Sequence, residues 1–156
     1  MMNPPLLHVA LWEPEIPPNT GNIARLCAAA GVRLHLVGRL GFRIDDRSMK
    51  RAGLDYWEFV DWKRHDDFAE LEADVGVENI IVIETPAKLV YTEAPIAWGT
   101  CLLFGNESRG LPETIRARYA DRLYGIPMLT THVRSLNLAN AVSIVLYDAL
   151  RRLHGW

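Results

Sequence analysis

The run Asn79-Ile80-Ile81-Val82-Ile83-Glu84 constrains the fold more tightly than any other stretch of the chain. Four consecutive β-branched residues without polar alternation do not suit a strand with one face in water. They suit a strand covered on both faces, as in a parallel sheet sandwiched between helices. Residues 7–12 and 100–104 are similarly apolar, and 33–37, 57–60 and 122–126 read as further strands. Between them lie helical patterns at 23–30, stopped by Gly31, at 45–52, stopped by Gly53, and at 66–73. Strands alternating with helices predict an α/β fold with a mainly parallel sheet flanked by helices.

The last segment is the most unusual. From Leu136 onward, Ala139, Val142, Leu146, Ala149, Leu150 and Leu153 recur at the three- and four-residue steps of an amphipathic helix. Asn137, Asn140 and Ser143 cross that pattern as a polar stripe, where a solvent-facing design would place Lys and Glu. Ser135 or Asn137 is expected to cap the helix, and the rest of the stripe needs partners elsewhere. Ahead of it, Ile126-Pro127-Met128 and the loop 129–134 suit the gripping of a flat apolar ligand by backbone amides.

Two further polar segments stand out. Asn19-Thr20-Gly21-Asn22 supplies capping groups for the helix that carries Arg25. A cation in the first turns of a helix opposes the macrodipole, so Arg25 suggests an anion or ligand nearby. Gly105-Asn106-Glu107-Ser108-Arg109-Gly110 directly follows an apolar strand, and Gly105 is expected to let backbone approach a ligand. Each of the three polar segments follows a strand, and convergence at one edge of the sheet is expected.

Composition narrows the classes. With 156 residues, 49% of them hydrophobic, the chain is read as one domain, 1–156. A formal net charge of -2 lacks the basic excess of an autonomous nucleic-acid binder. The densest basic region combines Arg43, Arg47, Lys50 and Arg51 with Lys63 and Arg64. Cys27 and Cys101 lie in apolar runs, as reduced core residues do, and a cytoplasmic location follows as the default. Residues 1–7 do not read as a signal peptide, and no apolar run is long enough to span a membrane. Five histidines scattered through the sequence, without a CxxC pair, give no expectation of a metal.

Three ordered segments together resemble the motifs of the SpoU branch of the SPOUT methyltransferases. They are Pro14 to Arg25 (PEIPPNTGNIAR), Leu103 to Pro112 (LFGNESRGLP), and Ile126-Pro127-Met128 with Ser135 to Val142 (SLNLANAV). Within that branch the chain is most similar to the small TrmL group of tRNA wobble-position ribose 2′-O-methyltransferases. The likeness includes Arg51-Ala52-Gly53-Leu54-Asp55-Tyr56. It implies a C-terminal deep trefoil knot, a homodimer packed through the first and last helices, S-adenosylmethionine as cofactor and tRNA as substrate. By motif position it implies cofactor contacts at Ile83, Gly105, Ile126, Met128 and Ser135. Arg25, Glu107, Ser135 and Asn137 are implied at the reaction centre, with Asn19 supporting Arg25. The loop 129–134 is one residue longer than the usual one. Two other readings remain open from sequence: the same chemistry at another tRNA or rRNA site, and a non-catalytic RNA-binding or cofactor-sensing protein that kept the fold.

Overall fold

The computed structural model describes residues 7–44 and 54–156. Its centre is a seven-stranded sheet. In chain order the strands are β1 (His8–Trp12), β2 (Arg33–Val37), β3 (Trp62–His65), β4 (Ile80–Ile83), β5 (Leu89–Val90), β6 (Cys101–Phe104) and β7 (Leu123–Gly125), with spatial order β3-β2-β1-β6-β4-β7-β5. Every pairing is parallel. The chain runs outward from β1 through β2 to β3, then places all later strands on the other side of β1. That reversal is where open α/β sheets form ligand crevices, beyond the carboxyl ends of the strands.

Alternate residues of the central strands feed two cores. Val9, Leu11, Ile81, Ile83, Leu102 and Phe104 face α1 (Pro17–Ala30) and the last helix, α4 (Leu138–His154). Ala10, Ile80, Val82, Cys101 and Leu103 face α2 (Phe68–Val75) and α3 (Glu113–Arg118). Each fully buried Leu or Ile contributes about 2 kcal/mol of transfer free energy, which is why these strands contain no polar alternation.

Several boundaries differ from the sequence expectation. Helix α1 starts at Pro17, not near Ile23, because Pro17 and Pro18 occupy its first two positions. Proline is preorganised there and has no N–H to leave unpaired. Asn19, Thr20, Gly21 and Asn22 therefore lie inside the helix, and the N-cap residue, Ile16, makes no side-chain cap bond. Residues 57–60 do not form a strand; a 3₁₀ segment, Leu54–Phe59, takes their place. The Trp57 and Trp62 rings lie 4.8 Å apart, and bringing both indoles together requires the chain to fold back between them. The helix expected over 45–52, with Arg47, Lys50 and Arg51, lies outside the described residues, as does Gly53.

The C-terminal helix follows its sequence closely. Asn137 is its N-cap, accepting from the Ala139 and Asn140 amides at 2.9 and 3.3 Å. Gly155, at φ 73°, closes it in the left-handed conformation. Among the described residues no helix is long and apolar enough to cross a membrane.

Cys27 and Cys101 are both free and buried. Burial pushes the Cys27 thiol up to about 12 and raises that of Cys101 as well. Neither sulfur should react with a thiol reagent in the native protein at pH 8, and both should react once urea unfolds it; rapid native labelling would contradict this packing. Leu102→Ala, at a position with no exposed surface, should lower the unfolding free energy by about 3 kcal/mol in urea titration.

Candidate active site

The three polar segments meet beyond the carboxyl ends of β6, β4 and β7. They enclose a cavity of about 540 Å³, within the range of small-molecule sites. Ile83 and Glu84 reach it from the end of β4, Gly105 to Gly110 from the end of β6, and Ile126 from the end of β7. Ile16 and Asn19 at the start of α1 and Arg134 to Leu138 complete the wall.

A carboxylate and two amides tie the segments together. Glu107 Oε1 accepts from the Glu15 amide at 3.1 Å, and Glu107 Oε2 accepts from the Ile16 amide at 2.8 Å and from Asn19 Nδ2 at 3.4 Å. Asn19 Oδ1 in turn accepts from Asn137 Nδ2 at 3.0 Å. Asn137 thus fulfils two tasks, capping α4 with its oxygen and reaching α1 with its nitrogen. The polar stripe has its partner. Ser143 closes on its own helix, donating to the Ala139 carbonyl at 2.8 Å.

The loop after β6 is closed by local hydrogen bonds. Asn106 Oδ1 accepts from the Ser108 and Arg109 amides, its Nδ2 donates to the Glu13 carbonyl at 2.6 Å, and its backbone pairs with Gly110. The Ser108 hydroxyl donates to Glu15 Oε1. A Cβ on Gly105 would lie 2.7 to 2.8 Å from the backbone of Gly110 and Leu111. The close approach that Gly105 permits is therefore to the chain itself, although Gly105 also lines the cavity.

Of the residues singled out from sequence, Asn19, Ile83, Gly105, Glu107, Ile126, Ser135 and Asn137 all line the cavity. Arg25 and Met128 are not part of its lining. Arg25 is exposed, and because α1 begins at Pro17 it sits in mid-helix, so the dipole argument for an adjacent anion does not hold. Asn19 faces Glu107 and Asn137.

Glu84 and Arg116 were not foreseen as site residues. Glu84 Oε1 accepts from the Leu111 amide at 2.9 Å, and its other oxygen, buried, faces Arg116 Nε at 3.4 Å. The available signal was a charge closing an all-apolar strand at the sheet's carboxyl edge.

An all-parallel sheet with a reversal in strand order and a cavity at its carboxyl edge defines a ligand-binding α/β domain. Its family is established by comparison: residues 6–147 match the SpoU rRNA Methylase family, and the chain belongs to it. It is 46% identical over 149 residues to the tRNA (cytidine(34)-2′-O)-methyltransferase of Aeromonas hydrophila, covering 95% of each chain. It is also 46% identical over 150 residues to the enzyme of the same name from Escherichia coli K12, covering 95% of this chain and 94% of that one. A solved structure concerned with the 2-OH methylation of C/U34 on tRNA superposes with a TM-score of 0.89 at 45% identity, over 99% of this chain and 100% of the other. The SpoU methyltransferase AviRb of Streptomyces viridochromogenes, in complex with the cofactor AdoMet, gives 0.82 at 26% identity, over 97% of this chain and 62% of the other.

Gly110 tests the packing of the wall. It has φ 67°, and an added Cβ would fall 2.0 Å from Glu84 Oε1. Gly110→Ala should force that carboxylate off the Leu111 amide and lower stability by about 1–3 kcal/mol in urea titration. An unchanged midpoint would show that the loop yields freely.

Proposed function

We propose that the chain is an S-adenosylmethionine-dependent methyltransferase acting on the ribose 2′-hydroxyl of the wobble nucleotide, cytidine or uridine 34, of tRNA. The observation that carries this reading is the joining of all three polar segments around one cavity through Glu107, Asn19 and Asn137. The wobble-position specificity comes from the relatives' likeness over nearly the whole of both chains. The reading takes residues 1–156 as one domain working in the cytoplasm.

The cavity's chemistry fits the cofactor. Ile83, Phe104, Ile126 and Leu138 offer apolar walls for a flat base, while Glu84, Arg116, Ser135 and backbone at Gly105 offer polar groups for its ribose and amino-acid parts. We assign cofactor contacts to Ile83, Gly105, Ile126 and Ser135, all of which line the cavity. When bound, S-adenosylmethionine supplies a sulfonium methyl open to in-line displacement.

The protein's own part is alignment. Ser135 and Asn137 are held beside the cavity and orient the reacting groups by hydrogen bonds. Glu107 serves as a positioning residue: both oxygens already accept hydrogen bonds from α1 and its approach. Arg25 is assigned to the RNA side. Its guanidinium stays protonated, so it holds a phosphate or polarises the hydroxyl, and the phosphate or a water takes the proton.

A trefoil knot and a homodimer belong to the same proposal. In support of the knot, β7 inserts between β4 and β5, and the segment after it returns to α1 at Asn137. In support of the dimer, α4 presents Ile144 and Tyr147 to solvent, 39% and 42% exposed.

Arg25→Ala should fold normally, bind S-adenosylmethionine, and lose at least about a hundredfold in methyl transfer to unmodified tRNA. Near-wild-type turnover would remove Arg25 from the reaction centre. Nucleoside mass spectrometry of tRNA from a strain lacking the protein should show a ribose at position 34 without its methyl; an intact methyl there, with one missing elsewhere, would redirect the substrate assignment.

A further inference from the structure

Three histidines far apart in the sequence line up on the opposite side of the sheet from the reaction cavity's strands. His8, His35 and His65 sit on the adjacent strands β1, β2 and β3. Parallel register staggers them: His8 pairs with Arg33, two residues before His35, and Lys63, two residues before His65, pairs with His35. Each step of two keeps the side chain on one face, the face covered by α2, whose Asp74 completes the group.

We propose that His35 Nδ1, His65 Nε2 and Asp74 Oδ2 form a binding site for a divalent transition metal of the zinc class, which ties the edge strand β3 and helix α2 to β2. The three atoms are 2.9, 3.6 and 3.8 Å from one another. The point equidistant from all three in their own plane lies about 2.0 Å from each, the distance at which zinc takes imidazole nitrogen and carboxylate oxygen. Two imidazoles and one carboxylate are also the donor set this class of ion prefers over magnesium or calcium. Water supplies the remaining position, since Asp74 is 27% exposed.

The surroundings prepare these ligands. His35 has no exposed surface. Its Nε2 lies 2.8 Å from His8 Nδ1. With the proton on His35 Nε2 and donated to His8, the outer hydrogen bond that metal-binding histidines ordinarily make, His35 Nδ1 keeps a lone pair on the side of His65 and Asp74. Metal binding replaces the His35–His65 hydrogen bond, and the His65 proton moves to Nδ1; no net proton leaves. Lys63 Nζ, 3.2 Å from both Asp74 oxygens, competes with the ion. It is 44% exposed and can withdraw into solvent.

Calorimetric titration of ZnCl2 into untagged, chelator-treated protein tests the site, together with visible absorption after addition of CoCl2. Wild-type protein should bind one zinc, melt at a higher temperature with zinc than without, and give the d–d band of low-coordinate cobalt. His65→Gln and Asp74→Asn should each weaken zinc by at least about tenfold and abolish the cobalt band, and Lys63→Ala should tighten binding. Circular dichroism melts without metal establish that the variants are folded. Absence of zinc binding by the wild-type protein, or equal binding by His65→Gln or Asp74→Asn, would overturn the site, as would weaker binding by Lys63→Ala.

Discussion

The carboxylate of Glu107 is the interaction on which the reaction end of the molecule depends. It comes from the turn after β6 and accepts from residues 91 and 92 positions away in sequence. Through Asn19 it reaches Asn137, a further 118 positions from Asn19. Each bond contributes about 1 kcal/mol, more where the acceptor is charged. Their larger effect is geometric, because the three segments have no strand pairing to hold them together at that end. Without the carboxylate, the amides of Glu15 and Ile16 would lose their partner, and Asn19 would be left with its bond to Asn137 alone.

Helix α1 explains why that carboxylate is needed. Two prolines start the helix without donors of their own, so the polar groups requiring partners are the amides just before it, at Glu15 and Ile16. Glu107 meets both. The Asn106 side chain secures the chain one step earlier by donating to Glu13, a residue held at φ 45°, where a non-glycine residue is strained. The bend at the end of β1, the start of α1 and the turn after β6 are therefore one construction, built from main-chain groups that regular secondary structure leaves unpaired.

How much could be read from the sequence follows from which forces are local. The apolar runs of β4 and β6, and of β1 after His8, announce burial on both faces, and parallel pairing follows from burial. Gly31 marks a helix end because the left-handed residue there is chosen for a local reason. Residues 57–60 misled because aromatic and β-branched residues read as strand, whereas the contact between Trp57 and Trp62 decided their conformation. Arg25 misled through the boundary of its helix: moving the start to Pro17 turned a first-turn cation into a mid-helix one. The cavity residues Asn19, Glu107 and Asn137 were legible as polar interruptions, but their mutual bonds were not, since periodicity carries no information about which loop meets which. Glu84 was hidden for the opposite reason, because one charge ending one strand is not a motif.

The same limit explains the histidines. Separations of 27 and 30 residues give no ligand spacing that a local pattern could detect. Parallel pairing with consistent register converts them into a staircase in which each ring meets the next. A sheet that places its reaction loops beyond one set of strand ends thereby also determines what its opposite edge brings together, and the histidine grouping depends on two registers, β1 against β2 and β2 against β3. A one-residue slip of β2 on β1 would turn His35 to the other face, separating it from His8 and Asp74 and setting an imidazole into the apolar core beneath α1 and α4. The cost of that alternative helps to lock β2 onto β1.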